Sequence, residues 1–200
     1  MTTLRIQAKS VPLAIHVPAM VQTSEAEFYE FCQANQNLRI ERTATGDVII
    51  VPPTSSETGN RNSKICQQLS NWADRDGTGE VFDSSTGFTL PNGAIRSPDA
   101  SWIRRDRWDG LTAPEQASFA PICPDFVIEL RSASDALPDL QAKMQEYIGN
   151  GASLGWLIDR IHQTVHIYRP HQMPQVLNHP DMISADPDLP GFTLPLAKIW

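Results

Sequence analysis

A strand, a helix and a second strand in immediate succession constrain the fold of this chain more than any other feature. Phe126-Val127-Ile128-Glu129-Leu130-Arg131-Ser132 alternates with the two-residue period of a strand. Phe126, Ile128 and Leu130 take one face, and Val127, Glu129 and Arg131 take the other. From about Pro138 to Ile148, Leu140, Met144, Tyr147 and Ile148 recur at helical spacing, with Pro138 in the first turn and Gly149-Asn150-Gly151 as the stop. Leu154 to Asp159 then reads as a strand. Such a crossover implies a locally parallel strand pair with a right-handed connection. Upstream, Leu38 to Thr43 and Asp47 to Val51 read as a hairpin about Thr45-Gly46, which adds antiparallel strands. The expected class is α/β: a mixed β-sheet flanked by helices, with additional N-terminal hairpin strands.

The other elements fit this frame. Ser24 followed by Glu27 is a capping box for a short helix through Cys32. Ile65, Leu69, Trp72 and Ala73 give one apolar face to a helix from about Glu57 to Asp74, ended by Gly77 and Gly79. Val81-Phe82 and Gly87-Phe88-Thr89-Leu90 read as short strands around a turn. Ala94 to Ile103 follows and contains Ser97-Pro98-Asp99, and residues 104–121 form a charged, Pro-containing excursion. Thr164 to Tyr168 is a further strand, and the tail from Leu189-Pro190-Gly191-Phe192 onward reads as a last strand with a terminal turn. Residues 1–20 read as a loosely held N-terminal arm and 21–200 as one domain.

Composition narrows the class of function. The chain is 40% hydrophobic and 20% charged, with the balance of an ordinary globular protein and no apolar run of transmembrane length. The first residues lack the continuous apolar core of a signal peptide. Cys32, Cys66 and Cys123 are odd in number and widely spaced, so they read as reduced thiols of a cytoplasmic protein. A net charge of −7 excludes a broad basic surface that coats nucleic acid. It leaves room for a metal-dependent nuclease, whose acidic site binds cations. The Arg104, Arg105 and Arg107 cluster between Trp102 and Trp108 fits a solvated loop beside buried tryptophans.

The chemistry concentrates on three positions. Asp99 follows Pro98, which limits backbone freedom at a position that by itself also fits simple turn chemistry. Glu129 stands on a strand whose neighbours demand burial, and a buried carboxylate needs a compensating charge or metal. A Glu129–Arg131 pair, or two solvated residues on an edge strand, satisfies the same pattern. Two carboxylates from neighbouring strands also suit Mg²⁺, which takes one or two carboxylates and keeps several waters. The backbone carbonyl of Leu130 could complete that shell. Lys143 borders the apolar stripe of its helix, and either reaches toward the carboxylates or snorkels into water.

Taken in order, these segments resemble the Uma-type endonuclease family. The resemblance rests on Ser97-Pro98-Asp99, on Pro124-Asp125-Phe126-Val127-Ile128-Glu129-Leu130-Arg131-Ser132 and on Lys143-Met144-Gln145-Glu146-Tyr147. Gly155-Trp156-Leu157-Ile158-Asp159 and Leu189-Pro190-Gly191-Phe192 extend it over roughly residues 20 to 200. It implies a restriction-endonuclease-like fold with a PD-(D/E)XK-type site. Asp99 matches the metal-binding aspartate and Glu129 the second acidic residue. Where the usual lysine stands two residues later, this chain has Arg131, a poor proton acceptor because it stays charged. Lys143 looks like the lysine relocated to the following helix.

The implied activity is metal-assisted hydrolysis of DNA phosphodiester bonds. Asp99, Glu129 and the Leu130 carbonyl would hold Mg²⁺ or Mn²⁺, Lys143 would orient or deprotonate the water, and Arg131 would neutralise phosphate charge. Glu57 is either an extra acidic contributor or a helix cap. The alternative is a catalytically weak or inactive nuclease-fold protein with a binding or regulatory role, favoured by the acidic charge and by Arg131. A homodimer is the simplest arrangement for cutting both strands. The chain carries no phosphate-binding GxxxxGK[ST] loop and no GxSxG elbow. His162 and His166 lie in strand-like sequence, and the Asp181–Asp188 stretch reads as a solvated loop.

Overall fold

The computed structural model describes residues 13–15 and 23–200. Apart from the backbone at 13–15, the expected N-terminal arm lies outside the described residues. Along the chain run β1 (Leu13–Ile15), α1 (Glu25–Ala34), β2 (Arg39–Arg42), β3 (Val48–Val51), α2 (Ser56–Asp76), β4 (Gly79–Asp83) and β5 (Phe88–Thr89). Then come β6 (Ile95–Arg96), β7 (Ala100–Arg104), the single-turn α3 (Arg105–Trp108) and α4 (Ala113–Gln116), β8 (Phe126–Leu130) and α5 (Leu137–Gly149). The last elements are β9 (Leu154–Asp159), β10 (Thr164–Tyr168), β11 (Gln175–Asn178), β12 (Met182–Ser184) and β13 (Thr193–Pro195).

Two sheets organise these strands. The six-stranded sheet has the order β11-β10-β9-β8-β7-β4 and is antiparallel except between β8 and β9. That parallel pair is the crossover expected from the sequence, with Glu129 opposite Leu157. The hairpin strands build a second, five-stranded sheet in the order β1-β3-β2-β6-β5. Its β2–β3 turn closes at Gly46, whose φ of 88° favours glycine. The architecture is mixed α/β, with helices on both faces of the larger sheet.

The core explains this layering. Ile65, Leu69, Trp72 and Ala73 of α2 pack with Phe126, Ile128 and Leu130 on one face of the larger sheet. The C-terminal segment joins them there: Phe192 stacks on Trp156 with centroids 5.6 Å apart. Met144 and Tyr147 of α5 cover the opposite face with Val127 and Leu157. The alternation read from Phe126–Leu130 therefore divides the two cores. Each of these fully buried large side chains contributes roughly 2 kcal/mol of transfer free energy. A Cβ on Gly155 would run into the Met144 terminal methyl, so glycine there permits the close approach of α5 to β9.

Several details depart from the expectation. Ser55, not Glu57, caps α2, its side chain accepting the Thr58 N–H; Gly77 at φ 73° closes the helix. The β4 and β5 strands do not pair across their turn. They join different sheets, β4 beside β7 and β5 beside β6. The stretch from Ala94 to Ile103 is likewise broken, with β6 in the small sheet and β7 in the large one. Pro98 lacks an N–H for a ladder bond, and the chain changes sheets there. The Asp181–Asp188 stretch is not all loop: Met182–Ser184 pairs with Thr193–Pro195.

Candidate active site

The change of sheet at Ser97-Pro98-Asp99 decides where the site forms. The β7–β8 ladder pairs Trp102 with Phe126 and Ala100 with Ile128, and Leu130 lies beyond its end. There the Leu130 N–H donates to Asp99 Oδ2 at 2.9 Å. The Asn62 side-chain amide of α2 donates to Asp99 Oδ1 at 3.0 Å, and Arg39 Nη1 lies 3.8 Å from the same oxygen. Burial pushes the Asp99 carboxyl above its usual range, against Arg39 and the Leu130 N–H.

Glu129 is buried on the α5 face. Lys143 Nζ lies 2.9 Å from its Oε1, and the Tyr147 hydroxyl donates to that oxygen at 3.1 Å. Lys143 and Tyr147 stand one helical turn apart, so a single helix face supplies both. Burial pushes the Glu129 carboxyl up to about 7; Lys143 opposes this, while the carboxylates of Asp99 and Glu41 add to it. Burial works against the Lys143 ammonium, yet Glu129 and Glu41 outweigh it and its pKa is raised. Burial and the same two carboxylates lift Tyr147 well above its ordinary value and keep its hydroxyl a donor.

The structure thus brings Asp99, Glu129, Leu130 and Lys143 together from β8, α5 and the turn before β7. Arg131 has other partners. Its Nη1 lies 2.8 Å from Asp159 Oδ2 and its Nε donates to the Asp135 carbonyl. His162 Nδ1 lies 2.7 Å from the same Asp159 oxygen. Glu57 is exposed and pairs with Arg61 and Arg160 at 2.9 Å each. The excursion arginines are paired too: Arg104 with Asp106, Arg105 with Glu80 and Arg107 with Asp125.

Sequence reasoning missed the residues that the small sheet contributes. Glu41 of β2 is 3% exposed, and its Oε1 lies 3.0 Å from Lys143 Nζ. Arg96 Nη1 reaches Glu41 Oε2 at 3.3 Å, and Arg96 Nε donates to Glu146 Oε2 at 2.6 Å. Arg39 donates to the Ser97 carbonyl at 2.6 Å. The alternation that singled out Glu129 applies equally to Arg39-Ile40-Glu41-Arg42: Ile40 enters a core while Arg39 and Glu41 share the other face.

The donor set fits a hard cation. Two carboxylates with a nearby carbonyl suffice for an ion that keeps much of its water. Among the described residues no group of three or more His, Cys, Asp or Glu side chains could hold a metal ion, so Asp99 and Glu129 would act as a pair. Two observations bear on the fit. The hydrogen bond and ion pair of Glu129 both fall on Oε1, and the Asn62 Oδ1 beside Asp99 is a buried oxygen without a hydrogen-bond partner. The Asn62 oxygen is an uncommitted donor of the kind that Mg²⁺ or Mn²⁺ prefers, and Glu129 Oε2 takes part in neither of those two contacts.

The fold is a mixed α/β domain whose two sheets meet at this junction. The model of the Uma2 family, described as "Putative restriction endonuclease", matches residues 25–197, and the chain belongs to that family. In fold it is similar to a putative nuclease belonging to DUF820 from Anabaena variabilis, whose crystal structure matches with a TM-score of 0.67. That likeness has 22% identity and covers 80% of this chain and 88% of the other. No curated protein matches the chain. Among the described residues no helix is long and apolar enough to cross a membrane.

Proposed function

We propose that the chain is a divalent-metal-dependent nuclease that hydrolyses DNA phosphodiester bonds at Asp99, Glu129 and Lys143. One observation carries this reading: an aspartate, a glutamate and a lysine converge from three separate elements at the point where the two sheets meet. Asp99, Glu129 and the Leu130 carbonyl would hold Mg²⁺ or Mn²⁺, which supplies Lewis-acid stabilisation and a lowered water pKa when bound. The Lys143 ammonium orients the attacking water and faces the charge that develops on the phosphate. Tyr147 holds the Glu129 carboxylate in place through its hydroxyl. Asn62 and the Leu130 N–H fix Asp99 from two directions.

Arg131 can neutralise phosphate only by releasing Asp159. Arg39 stands beside Asp99 at 3.8 Å with 31% of its side chain exposed, so it faces the approach to the site and takes the larger share of that role. The family's description supports DNA as the substrate. A pair of chains related by a two-fold axis would place one site on each strand.

The second reading is a nuclease-fold protein that binds without cutting. Its support is that three cations, Lys143, Arg39 and Arg96, already face three carboxylates, Glu41, Asp99 and Glu129. The deciding experiment is cleavage of plasmid and single-stranded DNA with Mg²⁺ or Mn²⁺ by wild type, Glu129→Ala and Lys143→Ala. Metal-dependent cutting that both substitutions abolish supports the nuclease reading. A folded wild type that cuts neither substrate with either metal favours binding without cutting.

A further inference from the structure

Glu41 stands outside the Asp99–Glu129 pair, yet it holds the same lysine. The Lys143 ammonium lies 2.9 Å from Glu129 Oε1 and 3.0 Å from Glu41 Oε1. An ammonium has three N–H donors. Two face these carboxylates, which leaves the third for a water or a phosphate oxygen. Glu41 is itself held on all sides. The Ser97 N–H donates to its Oε1 at 3.2 Å, and Arg96 reaches its Oε2 at 3.3 Å. Ser97 belongs to the turn that presents Asp99, so one piece of backbone sets both carboxylates. Burial works against ionisation of Glu41, but Lys143, Arg96 and Arg39 prevail and keep its carboxyl below the usual value.

A cation arriving at Glu129 competes with Lys143 for that carboxylate. With no second anchor, the ammonium either stays on Glu129 and weakens metal binding, or leaves and no longer serves the water. A fixed second carboxylate removes this conflict. We propose that Glu41 is a positioning residue, which holds the Lys143 ammonium in place while Glu129 turns to the divalent ion. This rests on the nuclease reading above. It assigns Glu41 no contact with metal or substrate, in keeping with the absence of a three-carboxylate metal group among the described residues.

The test is a Mn²⁺ titration of the full chain, followed by calorimetry, on wild type, Glu41→Gln, Lys143→Met and the double variant. Plasmid cleavage is measured in parallel on wild type, Glu41→Gln and Glu41→Asp. Glu41→Gln should bind Mn²⁺ about 10-fold more weakly and lower kcat about 10- to 100-fold, with KM within about threefold. Adding Lys143→Met to Glu41→Gln should return the Mn²⁺ affinity to that of Lys143→Met alone, because the competitor is gone. Glu41→Asp, which keeps the charge, should recover most of kcat, and Glu41→Ala takes the place of Glu41→Gln in the cycle if that variant does not fold.

Mn²⁺ binding that is weakened by Glu41→Gln and stays weak in the double variant would make Glu41 a ligand or a structural strut and overturn the proposal. Unchanged kcat in Glu41→Gln would overturn it as well. Failure of the nuclease reading itself shows elsewhere: wild type would bind no Mn²⁺, or Glu129→Ala would bind it as tightly as wild type.

Discussion

The Lys143 ammonium lies 2.9 Å from Glu129 Oε1, although the position two residues after Glu129 holds an arginine. The helix after the strand delivers the cation that the strand does not. Arg131 cannot exchange roles with Lys143, because its guanidinium lies against Asp159 at 2.8 Å. The double variant Lys143→Ala/Arg131→Lys, which restores the usual spacing, should therefore stay at the cleavage rate of Lys143→Ala. A plasmid-nicking rate that returns toward wild type would show that residue 131 reaches the site.

Arg131 and Arg39 should separate by the property they affect. Arg131→Ala leaves the buried Asp159 carboxylate short of a cation and should lower stability by about 1–3 kcal/mol in urea denaturation. Arg39→Ala leaves Asp99 its Asn62 and Leu130 donors and should instead reduce cleavage about 10- to 100-fold. Equal effects of the two substitutions on cleavage would argue against Arg39 as the cation that faces phosphate.

Metal-free stability should depend on pH through Glu129. Its carboxyl, pushed up to about 7, keeps a proton in the folded chain that the unfolded chain releases near its ordinary value of 4.5. Where the folded state binds more protons, stability falls as pH rises. Wild type in EDTA should therefore lose stability relative to Glu129→Gln between about pH 4.5 and 7, at up to ~1.4 kcal/mol per pH unit, and level off above that. Urea titrations of both proteins across that range measure it. A stability difference that stays constant from pH 4.5 to 8 would contradict the raised value.

Gly155 links packing to the site. A valine there would displace the Met144 terminal methyl, and so repack the side chain that seats α5 on β9. Gly155→Val should cost about 1–3 kcal/mol by overpacking. Because Lys143 precedes Met144 on that helix, metal-dependent cleavage should fall further than stability at the assay temperature explains. Circular dichroism melts beside cleavage rates would separate the two effects.

Local pattern carried much of this protein. Alternation in Phe126–Leu130, the helical stripe of Leu140, Met144 and Tyr147, and the capping box at Ser24 and Glu27 are properties of neighbouring residues, so they were readable before any folding. They determined the parallel crossover and the face on which Glu129 stands, and the ordered motifs pointed to the family; that Glu129 is buried, and not solvated on an edge strand, the structure decided. Tertiary structure decided what the carboxylates meet. Whether Lys143 turned inward or snorkelled depended on how α5 packs on β9, where the neighbouring Met144 seats its terminal methyl against Gly155. Glu41 reaches Lys143 across 102 residues because Pro98 ends one sheet and starts the chain into another. Partners so distant in sequence leave no periodic trace, and the electrostatics of a shared ammonium exist only once both sheets have closed around it.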